Sequence, residues 1–203
     1  MSHCKRVGEI IAEKGFKLVC AGANAGCQSQ LIEGAQAKGG AVIAVTVPMF
    51  ASELSDTLRK NAIISEGNDL SQRKVIMKTA TEFGYIILPG GPGTLDELWE
   101  VFAEKAENIN NGAMKKLIIL NTDGFYEPVK AQINIMRETF KWPYGDGVKF
   151  IDDPEQLNEL IPSIRIIPRY GAEGSGAGGG GAKAPRRASR RSNRKRGTRT
   201  RKN

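Results

Sequence analysis

A repeated order restricts this chain's fold more than any other feature: a short, continuous apolar run, then a stretch whose apolar residues recur at helical spacing. The runs are 16–20, 41–47 (AVIAVTV), 62–65, 85–88 (YIIL), 116–120 (KLIIL) and 148–151. Between and around them, helices are predicted at 7–14 (the end of an amphipathic helix), 27–38, 69–83, 94–107, 126–140 and 154–160. Strands that are apolar throughout are buried on both faces, as in a parallel sheet covered by helices. Right-handed crossovers then give a doubly wound α/β sheet, with ligands beyond the C-terminal ends of the strands.

That places the chemistry in the turns directly after the apolar runs. The sharpest is Pro89-Gly90-Gly91-Pro92-Gly93-Thr94-Leu95-Asp96-Glu97, which joins the run YIIL to a helix. Its three glycines let the backbone turn tightly and approach a ligand closely. The N–H groups and positive dipole end of the following helix suit a phosphate, and Thr94 is placed to cap that helix and donate its hydroxyl. No Lys-Ser/Thr follows the glycines, so this is not a Walker loop, and Asp96 stands where a GxGxxG pattern has its third glycine. In the helix itself Leu95, Leu98, Trp99, Phe102 and Ala106 share one face, while Glu97, Glu100, Glu104 and Glu107 lie opposite. Glu104 and Glu107 read as a solvated stripe. Glu97 lies in the first turn beside the loop, where a carboxylate can polarise water or stabilise positive charge on a sugar.

The helix at 69–83 holds an anomaly. Leu70, Ile76, Met77, Ala80 and Phe83 make its apolar face, and Arg73 falls inside that face, with Lys74 on the margin. An unpaired buried guanidinium is costly. Arg73 therefore either reaches out to solvent or points into a ligand cleft and meets an anion. Asn24, between Gly22 and Gly26 after the first run, is a weaker candidate for the same cleft.

Composition separates two parts. The chain has 203 residues, with 30 Lys and Arg against 22 Asp and Glu, a net charge of +8. Residues 171–203 hold 11 basic residues and one acid, Glu173, a net +10; residues 1–170 hold 19 basic and 21 acidic residues, a net −2. The expected organisation is one folded domain over 1–170 and a disordered tail over 171–203, Gly-rich and then Arg/Lys-rich, with nothing to form a core. The body's charge is wrong for a dedicated nucleic-acid-binding fold. The tail, with Arg186-Arg187, Arg190-Arg191 and Arg194-Lys195-Arg196, suits non-specific contact with nucleic-acid backbones or a nuclear address. Otherwise a cytoplasmic location is expected. No apolar run nears the ~20 residues of a membrane span, and Glu9 and Glu13 argue against a transit peptide, so no membrane partner is expected. Cys4, Cys20 and Cys27 are too few and too irregular for a disulfide framework or zinc ribbon, and are read as small buried thiols in a reducing compartment. His3 stands alone, so no metal site is expected.

Gln72-Arg73-Lys74-Val75-Ile76-Met77, followed by Pro89 to Glu97, resembles the R-K-x-x-M and PGGxGTxxE motifs of the LOG (Lonely guy) family, the cytokinin riboside 5′-monophosphate phosphoribohydrolases. The likeness continues in Leu120-Asn121-Thr122-Asp123-Gly124-Phe125-Tyr126 and Asp152-Asp153-Pro154-Glu155, and covers roughly residues 7–161. It implies a Rossmann-like fold, a homodimer, and hydrolysis of the N-glycosidic bond of a nucleoside 5′-monophosphate to free base and ribose 5-phosphate, with no cofactor. At the matching positions Arg73 and Glu97 are the catalytic pair. Gly90, Gly91, Gly93 and Thr94 hold the phosphate, and Lys74 and Asp96 line the site. The chain departs from the family in three ways. The family's first strand, with its Cys-Gly-Ser-Ser-like turn, is missing ahead of the N-terminal helix, so the expected sheet lacks a central strand. The Gly-rich turn after 16–20 is reduced to 21–26. Leu70-Ser71 replaces a common Met-His. The lost strand motivates an alternative, a non-catalytic nucleotide-binding protein of the same fold. A pyridoxal-phosphate decarboxylase is rejected, because no lysine stands in a recognisable Schiff-base setting.

Overall fold

A computed structural model describes residues 2–109, 112, 114–141 and 147–164. The basic tail, and with it the division at 170/171, lies outside the described residues. The elements are α1 (His3–Glu13), β1 (Leu18–Cys20), α2 (Gly26–Ala37), β2 (Val42–Thr46), a 3-10 turn (Pro48–Glu53), α3 (Asp56–Arg59), β3 (Ile63–Ile64), α4 (Leu70–Thr79), β4 (Gly84–Ile87), α5 (Pro92–Ala106), β5 (Lys116–Leu120), α6 (Glu127–Phe140), β6 (Val148–Ile151), a second 3-10 turn (Pro154–Gln156) and α7 (Leu157–Leu160).

Every strand pairing is parallel, as the apolar runs require, but the ladder is interrupted. β1, β2 and β3 form one three-stranded sheet, with Leu18 opposite Val42 and Val45 opposite Ile63. β4, β5 and β6 form another, with Ile86 opposite Ile118 and Ile119 opposite Phe150. Among the described residues no strand pairs β1 with β4. Both strands instead line one cavity of about 1020 Å³, through Leu18, Val19 and Cys20 on one side and Tyr85, Ile86 and Ile87 on the other.

Side chains hold the two halves together. Val7, Ile10 and Ile11 of α1 share a buried cluster with Leu31 and Ala44 of the first half and with Ile118, Leu120 and Ile151 of the second. A second cluster forms around Leu98 and Phe102 of α5, which pack with Leu117, Ile119, Tyr126 and Ile133. Each buried Val, Leu, Ile or Phe among them contributes roughly 1.5–3 kcal/mol by leaving water.

α1 begins at His3, four residues before the predicted segment, because the polar first turn Cys4-Lys5-Arg6 hides the helical period. It crosses α2 backbone to backbone. A Cβ on Gly8 would lie 2.0 Å from the Leu31 carbonyl oxygen, and one on Gly34 2.0 Å from that of Lys5. The crossing corrects the cysteine reading: Cys4 and Cys27 form a disulfide, with Cα atoms 5.4 Å apart, and only Cys20 is a free, buried thiol. Burial pushes that thiol up to about 11.

Candidate functional site

The loop after β4 enters α5 through Gly91 at the N-cap and Pro92 at the first helical position. Pro suits that place, since its missing N–H is not needed there. The Thr94 and Leu95 N–H groups both donate to the Gly91 carbonyl, at 3.0 and 3.1 Å. Thr94 is therefore not the cap that its sequence position suggested; the helix starts two residues earlier. Its side chain packs on the loop, where a Cβ on Gly90 would lie 2.2 Å from Thr94 Oγ1. Gly91 and Gly93 are exposed, and a Cβ on either would meet nothing within 4 Å. Gly90 thus serves internal packing, whereas the other two glycines leave room above the N-terminus of a 15-residue helix, where an anion is favoured.

α4 begins as its sequence predicts, with the Asp69 carboxylate accepting from the N–H groups of Ser71 (2.8 Å) and Gln72 (3.3 Å). It stops at Thr79, so Phe83 belongs to the approach to β4 and packs against Phe16 with the rings tilted, 4.9 Å between ring centres. None of its residues is buried, and Leu70 and Val75 are exposed.

Arg73 does not reach out to solvent. Its Nη2 donates to Glu97 Oε1 at 3.3 Å, with the two side chains 14% and 31% exposed. The Nε atom is buried and has no hydrogen-bond partner among the described residues. Glu97 lines the large cavity with Gly90 and Thr94, and Arg73 lines a smaller one with Gly22, Thr46 and Leu54. The pair thus stands between the two spaces. Burial pushes the Glu97 carboxyl above the usual glutamate range; the Arg73 charge pulls against it, and neighbouring Asp96 adds to the rise. A carboxyl with a raised pKa beside a cation, in a cleft, is a candidate acid or base.

Lys74 and Asp96 are brought together, but toward each other: Lys74 Nζ lies 2.8 Å from both Asp96 Oδ2 and Glu100 Oε2. Lys78 bonds Glu100 and, at 2.6 Å, Glu104. Burial works against the Glu100 carboxylate, but hydrogen bonds from Lys74 and Lys78 outweigh it and hold its pKa low. Glu104 is thus not a solvated residue; its side chain is 12% exposed. The four-residue spacing of Lys74 and Lys78 on one helix, and of Asp96, Glu100 and Glu104 on the next, is the signal that would have revealed this ladder. It fixes α4 against α5 and so sets the Arg73–Glu97 distance. Asn24 is exposed and lines neither cavity; Ala23 and Ala25 line the larger one. His3 meets Thr122 Oγ1 at 2.8 Å. Among the described residues no group of three or more His, Cys, Asp or Glu could hold a metal ion, and no helix is long and apolar enough to cross a membrane.

Parallel strands, a glycine loop at a helix N-terminus and a guanidinium–carboxylate pair beside it define a Rossmann-like α/β protein with an anion-ready cleft. The chain belongs to the LOG family, whose model, described as "possible lysine decarboxylase", matches residues 29–161. A Mycobacterium marinum protein named cytokinin riboside 5′-monophosphate phosphoribohydrolase is 29% identical over 134 residues, 66% of this chain and 68% of that one. A rice relative (Oryza sativa subsp. japonica) named cytokinin riboside 5′-monophosphate phosphoribohydrolase LOG is 30% identical over 165 residues, 81% of this chain and 66% of its own length. Among solved structures, the molybdenum cofactor binding protein of Rippkaea orientalis superposes with a TM-score of 0.55 at 23% identity, covering 78% of this chain and 83% of that one. The molybdenum cofactor carrier protein of Chlamydomonas reinhardtii gives 0.53 at 20%, over 78% and 83%. These two share the fold.

Proposed function

We propose that this protein hydrolyses the N-glycosidic bond of a nucleoside 5′-monophosphate of the adenosine or cytokinin type, releasing free base and ribose 5-phosphate. The observation that carries the reading is the Arg73–Glu97 bond, 3.3 Å long, beside the open space over Gly91 and Gly93. The helix N-terminus takes the 5′-phosphate. The ribose then lies toward Glu97, whose carboxylate stabilises the oxocarbenium-like transition state and accepts a proton from the water that attacks C1′. The bond from C1′ to the base nitrogen breaks, its electron pair leaves with the base, and the base takes up one proton, balancing the one that Glu97 removes from water and then releases. Arg73 orients Glu97 through a charge-assisted hydrogen bond. The names of the relatives support this reaction class.

The test is incubation with AMP and with N6-isopentenyl-AMP, followed by assay for free base. Turnover that falls by at least about 10²-fold in Glu97→Ala supports the hydrolase. Tight binding without product would replace it with a second reading, a non-catalytic nucleotide-binding protein. Among the described residues β1 and β4 are not paired, and the cavity between them borders Glu97, which favours that alternative.

A further inference from the structure

We propose that Tyr126 is a positioning residue for the glycine loop: its phenol, buried behind the loop, fixes the backbone at Leu88, just ahead of Pro89, so that the N–H groups of α5's first turn are aimed before a ligand arrives. The identity of that ligand rests on the reading above; the positioning itself does not.

Tyr126 is the largest fully buried side chain among the described residues, 1% exposed. Its hydroxyl donates to the Leu88 carbonyl at 2.7 Å, at the point where β4 gives way to the loop. Burial pushes the phenol up to about 12, the Gly90 N–H opposing, so it stays protonated and acts as a fixed donor rather than as an acid or base.

The loop needs such an anchor. Pro89 and Pro92 have fixed φ angles, but the backbone of Gly90 and Gly91 is intrinsically the freest in any chain. A loop that orders only when ligand binds loses affinity by the entropy of that ordering. A bond from the core to Leu88, where the loop begins, makes that cost part of folding instead.

Tyr126 is itself held from two strands. Its N–H donates to Asn121 Oδ1 at 2.7 Å. Asn121 is 2% exposed, directly follows β5, and donates its own N–H to the Ile151 carbonyl of β6 at 2.7 Å. Its Nδ2 donates to Glu127 at 2.7 Å and to Asp152 at 3.3 Å. Positive φ at Asp123 (54°) and Gly124 (72°) turns the chain back so that Tyr126 comes under the loop. The segments 120–126 and 152–155, which carry no group to the Arg73–Glu97 pair, thereby acquire a role: they tie the ends of β5 and β6 to the end of β4.

Tyr126→Phe removes the oxygen and keeps the ring in its cluster. In the ligand-free protein, amide hydrogen exchange over residues 90–94 should quicken about five- to tenfold, the equivalent of one ordinary hydrogen bond, with α1 unchanged. In calorimetry the affinity for AMP should fall by a similar factor while that for adenosine, which lacks the phosphate, holds. In turnover KM should rise with kcat nearly constant. Unchanged exchange at 90–94 overturns the inference whatever the protein binds, as does equal weakening toward AMP and adenosine. Quickened exchange in a protein that releases no base sustains the inference and removes the hydrolase reading instead.

Discussion

The strength of the Arg73–Glu97 pair can be worked from its geometry. Two unit charges 3.3 Å apart attract by about 5 kcal/mol at an effective dielectric of about 20. That is a ceiling, because 31% of the Glu97 side chain remains in water, and screening brings the net coupling to roughly 1–2 kcal/mol. The perturbation is a double-mutant cycle of Arg73→Gln, Glu97→Gln and both, read by urea unfolding, in which the two losses should fail to add by that amount. The coupling must also depend on pH in a set direction. Burial already holds the Glu97 carboxyl above the usual glutamate range, and losing the Arg73 charge pushes it further up. The attraction exists only while Glu97 is ionised. The stability deficit of Arg73→Gln is therefore full above the further-raised Glu97 pKa of the variant, shrinks as pH falls from there to the folded-state Glu97 pKa of the parent protein, and is gone below it. A coupling below about 0.3 kcal/mol at neutral pH, or a deficit that grows on acidification, would refute the reasoning.

Two further outcomes follow from glycine geometry and the disulfide. Gly90→Ala, whose Cβ would meet Thr94, should destabilise the protein by about 1–3 kcal/mol, whereas Gly93→Ala should leave urea unfolding unchanged and weaken AMP binding in calorimetry; the reverse pattern would show the glycine roles to be misassigned. Cys4 and Cys27 are 23 positions apart, and closing a loop of that size contributes about 3 kcal/mol, so the unfolding midpoint should drop on reduction or in the Cys4→Ser/Cys27→Ser variant, while identical curves with and without reductant would show that the bond does not form.

Features set by local chemistry were legible in the sequence. Continuous apolar runs such as KLIIL announced buried parallel strands, and Asp69 announced the start of α4 because its carboxylate does the capping. Where capping falls to a glycine backbone followed by Pro92, the obvious hydroxyl at Thr94 drew the helix start two residues too late. Arg73 was visibly out of place in an apolar face, but only geometry could choose between solvent and cleft, because Glu97 is 24 positions away on another helix. The same holds for Cys4 with Cys27, whose pairing depends on how closely two glycines let α1 and α2 cross. The phenol of Tyr126 could be counted as core, but its hydrogen bond to Leu88, 38 positions away, could not be read from spacing.

The interrupted ladder also has a mechanical consequence. Hydrogen-bonded neighbours in a sheet resist sliding past one another; among the described residues β1 and β4 lack that connection, so the seam between them relies on the side chains of α1 and its cluster and on the lysine–carboxylate ladder between α4 and α5. Arg73 sits on α4, which packs against β2, while Glu97 sits on α5, which packs against β4. Their bond spans the seam beside that ladder, so a widening or shear of the two halves by even an ångström would change the distance between guanidinium and carboxylate.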